Sequence, residues 1–197
     1  MQPRVALYTF GIFSKPSADP ANDGFHARND ANLAAAEASA GFIARSGYDS
    51  DPGPASWGAH AYPRFYTGSD GYSPSTLSLW TDLESPFAFT YHGLHAEALS
   101  HGRDWFAKPI LPPTLQRPAK PAWPPYVLWW VAHDHVPDWC EGVARLEYLH
   151  DHGASPRAFD WKTPFDAGGA PCSIDRDKVR RKVEQNRRRH PASTVAG

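Results

Sequence analysis

Cysteine and methionine are almost missing from this chain: two Cys, Cys140 and Cys172, and one Met among 197 residues. Two distant thiols offer neither zinc-ligand spacing nor a disulfide framework, so a fold stapled by disulfides is excluded and both are read as free thiols. Cys140 is expected to be an inert helix residue. Long apolar runs are missing too. The best, 126–132, falls far short of the ~20 residues that span a bilayer, so no membrane partner is expected. The start, Met1-Gln2-Pro3-Arg4, lacks a signal pattern and runs straight into a strand-like segment, which makes cytoplasmic location the expectation. No internal repeat is visible.

What is present suits one globular domain. Hydrophobic residues make up 41% of the chain, which excludes a disordered polymer. Eight Trp, eight Tyr and ten Phe supply flat apolar surface of the kind that lines a ligand cavity or a subunit interface, or fills an ordinary core. Net charge is −1 but uneven. Residues 173–197 carry eight Lys/Arg against three Asp/Glu. The division is therefore a domain over 1–172 and a basic tail over 173–197, helical or disordered. With no aromatic residue interleaved among its basic ones, that tail reads as solvated, and a nucleic-acid partner is not expected.

Along the chain, 5–13 (VALYTFGIF) reads as a central strand, apolar on both faces. A Pro/Asn/Asp/Gly loop follows, then an Ala-rich helix capped by Asn29 or Asp30 and ended by Gly41. Residues 42–48 (FIARSGY) form a second strand. The stretch 49–74 is a long irregular insertion with a strand fragment at 62–66; such insertions often cover a site. Residues 108–125 should be an extended Pro-rich connector. Residues 126–131 (YVLWWV) are a buried strand. A helix opened by Pro137 presents Trp139, Val143, Leu146 and Leu149 and stops at Gly153; a last short strand is expected at 158–161. His133 and His135 share a face and offer a metal pair, although polar residues commonly end strands.

The organising stretch is 76–106. Residues 76–80 alternate as a half-buried strand, and Asp82, Glu84 and Ser85-Pro86 then supply helix-start signals. From Phe87 the apolar period becomes 3.6, which predicts one long helix. Phe87, Ala88, Tyr91, Leu94, Ala98, Leu99, Gly102, Trp105 and Phe106 fall on one side with His95 at the middle. His92 and Arg103 flank the stripe, and His101 belongs to the solvent side. Burial favours neutral imidazole, whose lone pair then needs a donor or a metal. A core histidine bonded to a backbone carbonyl or a tyrosine is one reading of His95; a proximal ligand to haem iron is the other.

The order strand, helix, strand, insertion, strand, helix, strand, helix predicts an α+β fold of ferredoxin-like type, an antiparallel sheet with its helices on one face. In such folds two subunits often press their sheets together. GFIARSGY at 41–48, STLSLWTDLES at 75–85, FTYHGLHAEAL at 89–99 and WPPYVLWWV at 123–131 resemble an uncharacterised bacterial domain family of the dimeric α+β barrel type. More distantly, Leu79-Trp80 followed by Tyr91-x-x-x-His95 is similar to the spheroidene monooxygenase family of haem proteins.

That resemblance implies a homodimer binding haem b, with His95 as proximal iron ligand and the only metal ligand. It implies a cavity between sheet and helix walled by Phe87, Tyr91, Leu99 and Trp80. Arg103 or Arg45 would pair with a propionate or assist the chemistry, which is expected to be monooxygenase-like or N–O lyase-like on a small organic substrate. Two alternatives stand beside it. One is a cofactor-independent monooxygenase or isomerase using His95, Tyr91 and Arg103 as acid–base and orienting groups. The other is a non-catalytic small-molecule binding module.

Overall fold

Alternation along the first strand decides the architecture. In a computed structural model describing residues 2–49, 51–68, 70–107 and 123–189, β1 (Arg4–Phe10) lies between β3 (Ser75–Trp80) and β4 (Tyr126–Val131). The short β2 (Phe42–Arg45) pairs with the far side of β3. The order is β2-β3-β1-β4 and each pair is antiparallel. β1 can sit inside because both its faces are apolar: Val5 and Leu7 pack on one side of the sheet, Ala6, Tyr8 and Phe10 on the other. Register builds rows across the sheet, Leu79–Ala6–Trp129 and Leu77–Tyr8–Val127. Phe159 adds a single bridge to Leu128, with N–H···O distances of 2.8 and 2.9 Å, where the last short strand was expected.

Helices lie on both faces, not on one. Ala36 of α1 (Asp23–Glu37) and Leu83 with Phe89 around α2 (Glu84–Tyr91) cover Val5 and Leu7. Trp139, Leu146 and Leu149 of α5 (Trp139–His152) cover Ala6, Tyr8 and Phe10. The insertion helps on that second face: Trp57, Ala61, Tyr62, Phe65 and Tyr66 pack against it, as does Tyr48 just ahead of the insertion. Thus the face that barrel-type dimers press together is filled by this chain itself.

Several boundaries move for local reasons. α1 starts ahead of Asn29, because Asp19 accepts from the Ala21 N–H at 2.9 Å and Pro20 opens a 3-10 turn (Pro20–Asn22) that runs into the helix. The fragment at 62–66 is a turn closed by Tyr66 N to Pro63 O at 2.9 Å, not a strand. Arg64 pins that turn to α5, donating its backbone N–H to Glu147 Oε1 at 2.7 Å and its guanidinium to Glu147 and Asp151. The connector expected at 108–125 lies outside the described residues as far as 122.

The largest correction concerns the long helix. Residues 84–105 form three pieces: α2, α3 (Gly93–Ser100) and the short α4 (Gly102–Trp105). His92 is extended (φ −140°, ψ 153°) and Gly93 has φ +69°, which turns the chain between α2 and α3. Asp82 supplies the α2 cap, accepting from Ser85 N at 2.9 Å and Ser85 Oγ at 2.7 Å. The basic segment is a helix, α6 (Arg176–Arg189), and it is docked on α2: Val179 and Val183 are buried with Ala88.

Candidate functional site

The break at 92–93 defines the surroundings of His95. It leaves carbonyls of the last α2 turn without helical partners. His95, on the first turn of α3, donates its Nδ1–H to Thr90 O at 3.1 Å across the break, which fixes the tautomer that leaves Nε2 as an acceptor. The ring packs on Phe89, with centroids 4.7 Å apart, and Phe89 packs on Trp80 at 5.7 Å. Burial pushes the His95 pKa down, with the Thr90 carbonyl opposing, so the neutral ring is favoured. Nε2 has no hydrogen-bond partner among the described residues. His95 is half-buried rather than central to a buried stripe, and α3 contains no buried residue.

The other expected residues divide. Trp80 is 1% exposed and donates Nε1–H to Ser78 Oγ at 2.9 Å, so it is core, separated from His95 by Phe89. Phe87 faces Tyr91 at 4.7 Å, Trp161 at 5.3 Å and the Arg176 guanidinium at 5.1 Å, whereas His95 packs on Phe89. Burial raises the Tyr91 pKa, with the neighbouring Tyr126 hydroxyl opposing. Tyr91, Leu94 and Leu99 stand exposed and give the α2–α3 region an apolar surface. Arg103 is exposed on α4. Arg45 is held by Glu37 (Nε–Oε1 2.7 Å) beside a hollow of about 450 Å³ that Phe42, Ala44, Gly53 and Pro54 also line. His135 does not face a metal partner: its Nε2–H meets Glu141 Oε2 at 2.6 Å. No group of three or more metal-ligating side chains occurs among the described residues.

A second cluster, unread in the sequence, lies beneath the insertion. His60 Nε2 is 3.0 Å from Ser75 Oγ, and the ring packs on Tyr62 at 4.7 Å and Trp139 at 4.5 Å. Tyr48 donates to Ser75 O at 2.7 Å. Tyr8, wholly buried, points its hydroxyl toward this region without a partner at hydrogen-bonding geometry; burial drives its pKa far up. His60 is kept neutral by burial, with Asp49 pulling the other way. A histidine–serine pair at this distance can pass a proton, but Ser75 is only 4% exposed. The one sequence signal was the length and aromatic content of the insertion; nothing in 49–74 indicated that His60 turns inward.

No helix among the described residues is long and apolar enough to cross a membrane. No curated protein and no solved structure matches the chain. A family model does match, over residues 4–174, and the chain belongs to that family, described as a domain of unknown function (DUF3291).

Proposed function

We propose that this protein is a haem-binding oxidoreductase of monooxygenase type, acting on a small organic substrate, with His95 as the axial ligand. One observation carries the reading. The His95 ring is oriented by the Thr90 carbonyl on Nδ1, is favoured in its neutral form, and leaves Nε2 unpartnered among the described residues, on a helix whose Leu94 and Leu99 stand exposed. That is the donor state an axial imidazole needs, with its orienting hydrogen bond already made. Fit is partial at the walls. Leu94, Leu99 and Tyr91 remain available on the apolar side, while Trp80 and Phe87 are engaged elsewhere. Tyr91 and Arg103 would orient substrate from the ends of α2 and α4. Bound haem would supply oxygen-transfer or N–O cleavage chemistry.

The strand order and the crossovers through α1 and through α2–α4 support a ferredoxin-like topology. Sheet-to-sheet pairing of two copies is not part of the proposal, because α5 and the insertion fill that face. A homodimer would use another surface.

The test is an absorbance titration with hemin on the native chain and on His95→Ala, with circular dichroism as the fold control. The native chain should give a saturable Soret band at one haem per chain, and the variant should lose it. An equal band in folded His95→Ala removes the assignment.

A second reading, cofactor-independent acid–base chemistry, is favoured by the His60–Ser75 pair and the unpartnered Tyr8 hydroxyl. It expects no hemin band in the native chain. It also expects a substrate-induced rise in Tm that disappears in His60→Gln.

A further inference from the structure

The basic helix α6 does more than cover α2. Eight of its fourteen residues are Lys or Arg and two are Asp or Glu. It lies beyond residues 4–174, which the family model matches. Val179 and Val183 seat it on α2, Lys182 bonds Asp82 at 3.1 Å, and Asn186 Oδ1 accepts from Ala40 N at 2.8 Å. A helix held at three points presents its charges in fixed places.

Those charges are sorted by side. Arg176, Arg180 and Arg187 fall on one helical stripe, next to Val179 and Val183. Together with His92 and Glu184 they line a groove of about 470 Å³. Glu184 is engaged by Arg188 at 2.7 Å, and Arg180 meets Asp177 at 3.1 Å. Arg187 has no ion pair among the described residues. Arg176 packs its guanidinium over the Phe87 ring at 5.1 Å and lines the groove.

We propose that the groove between α6 and His92 binds a small organic phosphate of nucleotide size, the guanidiniums of Arg176, Arg180 and Arg187 taking the phosphate oxygens and the two valines the apolar body. Charge complementarity names the anion, and planar guanidinium forks suit phosphate. The volume lies in the range of small-molecule sites and the valine floor is apolar, which favours a compact ligand over an extended strand.

ADP is the probe, titrated by calorimetry at low ionic strength, with inorganic pyrophosphate and a twelve-residue oligothymidylate as comparison arms. ADP should bind at one site per chain, more tightly than pyrophosphate. Arg180→Gln/Arg187→Gln should weaken it by about tenfold or more. Lys178→Gln/Arg181→Gln removes the same charge from the opposite side of α6 and should change affinity less than about twofold. The second readout is the His92 ring. Burial, Arg187 and Arg176 hold its pKa down, so a phosphate among Arg176, Arg180, Glu184 and Arg187 should shift its NMR titration upward. No ADP binding, equal loss in both double variants, or tight binding of the oligonucleotide with none of ADP would overturn the proposal.

Discussion

At the scale of single residues, one hydrogen bond and burial set the state of His95. Its Nδ1–H satisfies a carbonyl that the broken helix would leave bare, and Nε2 is left without a partner among the described residues. The Thr90 bond survives protonation, whereas a free lone pair on Nε2 requires the neutral form that burial favours. Burial lowers the pKa of His95 and of His60, so each folded ring resists a proton that the unfolded chain accepts. The sign follows: stability is full above the ordinary imidazole value of about 6.5 and declines as pH falls below it. Asp82 and Glu141, kept below the usual carboxylate range despite their burial by Ser85 with Lys182 and by His135 with Arg145, act in a separate window nearer pH 4. Scanning calorimetry from pH 7.5 to 5 should therefore show a falling Tm, with a smaller fall in His95→Gln. A flat profile in the native chain would contradict the burial of both rings.

At the scale of elements, two glycines turn the chain after helices: Gly41 between α1, which ends at Glu37, and β2, and Gly93 between α2 and α3. Gly41 has φ +84°, and a Cβ there would collide with the Ser85 hydroxyl and stand 2.5 Å from Thr81 Oγ1. Gly93 has φ +69° with open space around it. Gly41→Ala should thus cost clearly more than Gly93→Ala, which carries backbone strain alone, about 1 kcal/mol. Urea unfolding of the two variants measures the difference, and equal costs would contradict the packing described at Gly41. Gly41 was legible as a turn because it follows an Ala-rich run and precedes a strand, although α1 itself stops earlier, at Glu37. Gly93 was not, since a lone glycine inside a helical period is tolerated and the 3.6 repeat continues through it. With the break, Leu94 and Leu99 leave the buried stripe that the period assigned to them, and His95 moves from its centre to its margin. Three of the four strands were readable because alternation in 75–80 and the apolar runs at 4–10 and 126–131 admit few other structures; the second, expected over 42–48, ends at Arg45.

At the scale of the whole molecule, the sheet is closed on both sides by one chain. Trp139 ties the second side together, touching Tyr8, Tyr48 and His60 while wholly buried. Trp139→Ala should cost roughly 3–5 kcal/mol in denaturant unfolding and loosen the insertion along with the core. A loss under about 1 kcal/mol would mean that the insertion does not depend on that contact. The docking of α6 was hidden from the sequence because its anchor is only two valines, Val179 and Val183, four apart in a run of charges. The cover over the second face was hidden because aromatic residues scattered in a loop carry no period.

The account turns on Nε2 of His95 being the atom that meets iron. The most direct measurement is the absorption spectrum of hemin-loaded His95→Gly with and without added imidazole. The proposal predicts a native-like Soret band only when imidazole fills the vacated position; a native-like band before imidazole is added would contradict it.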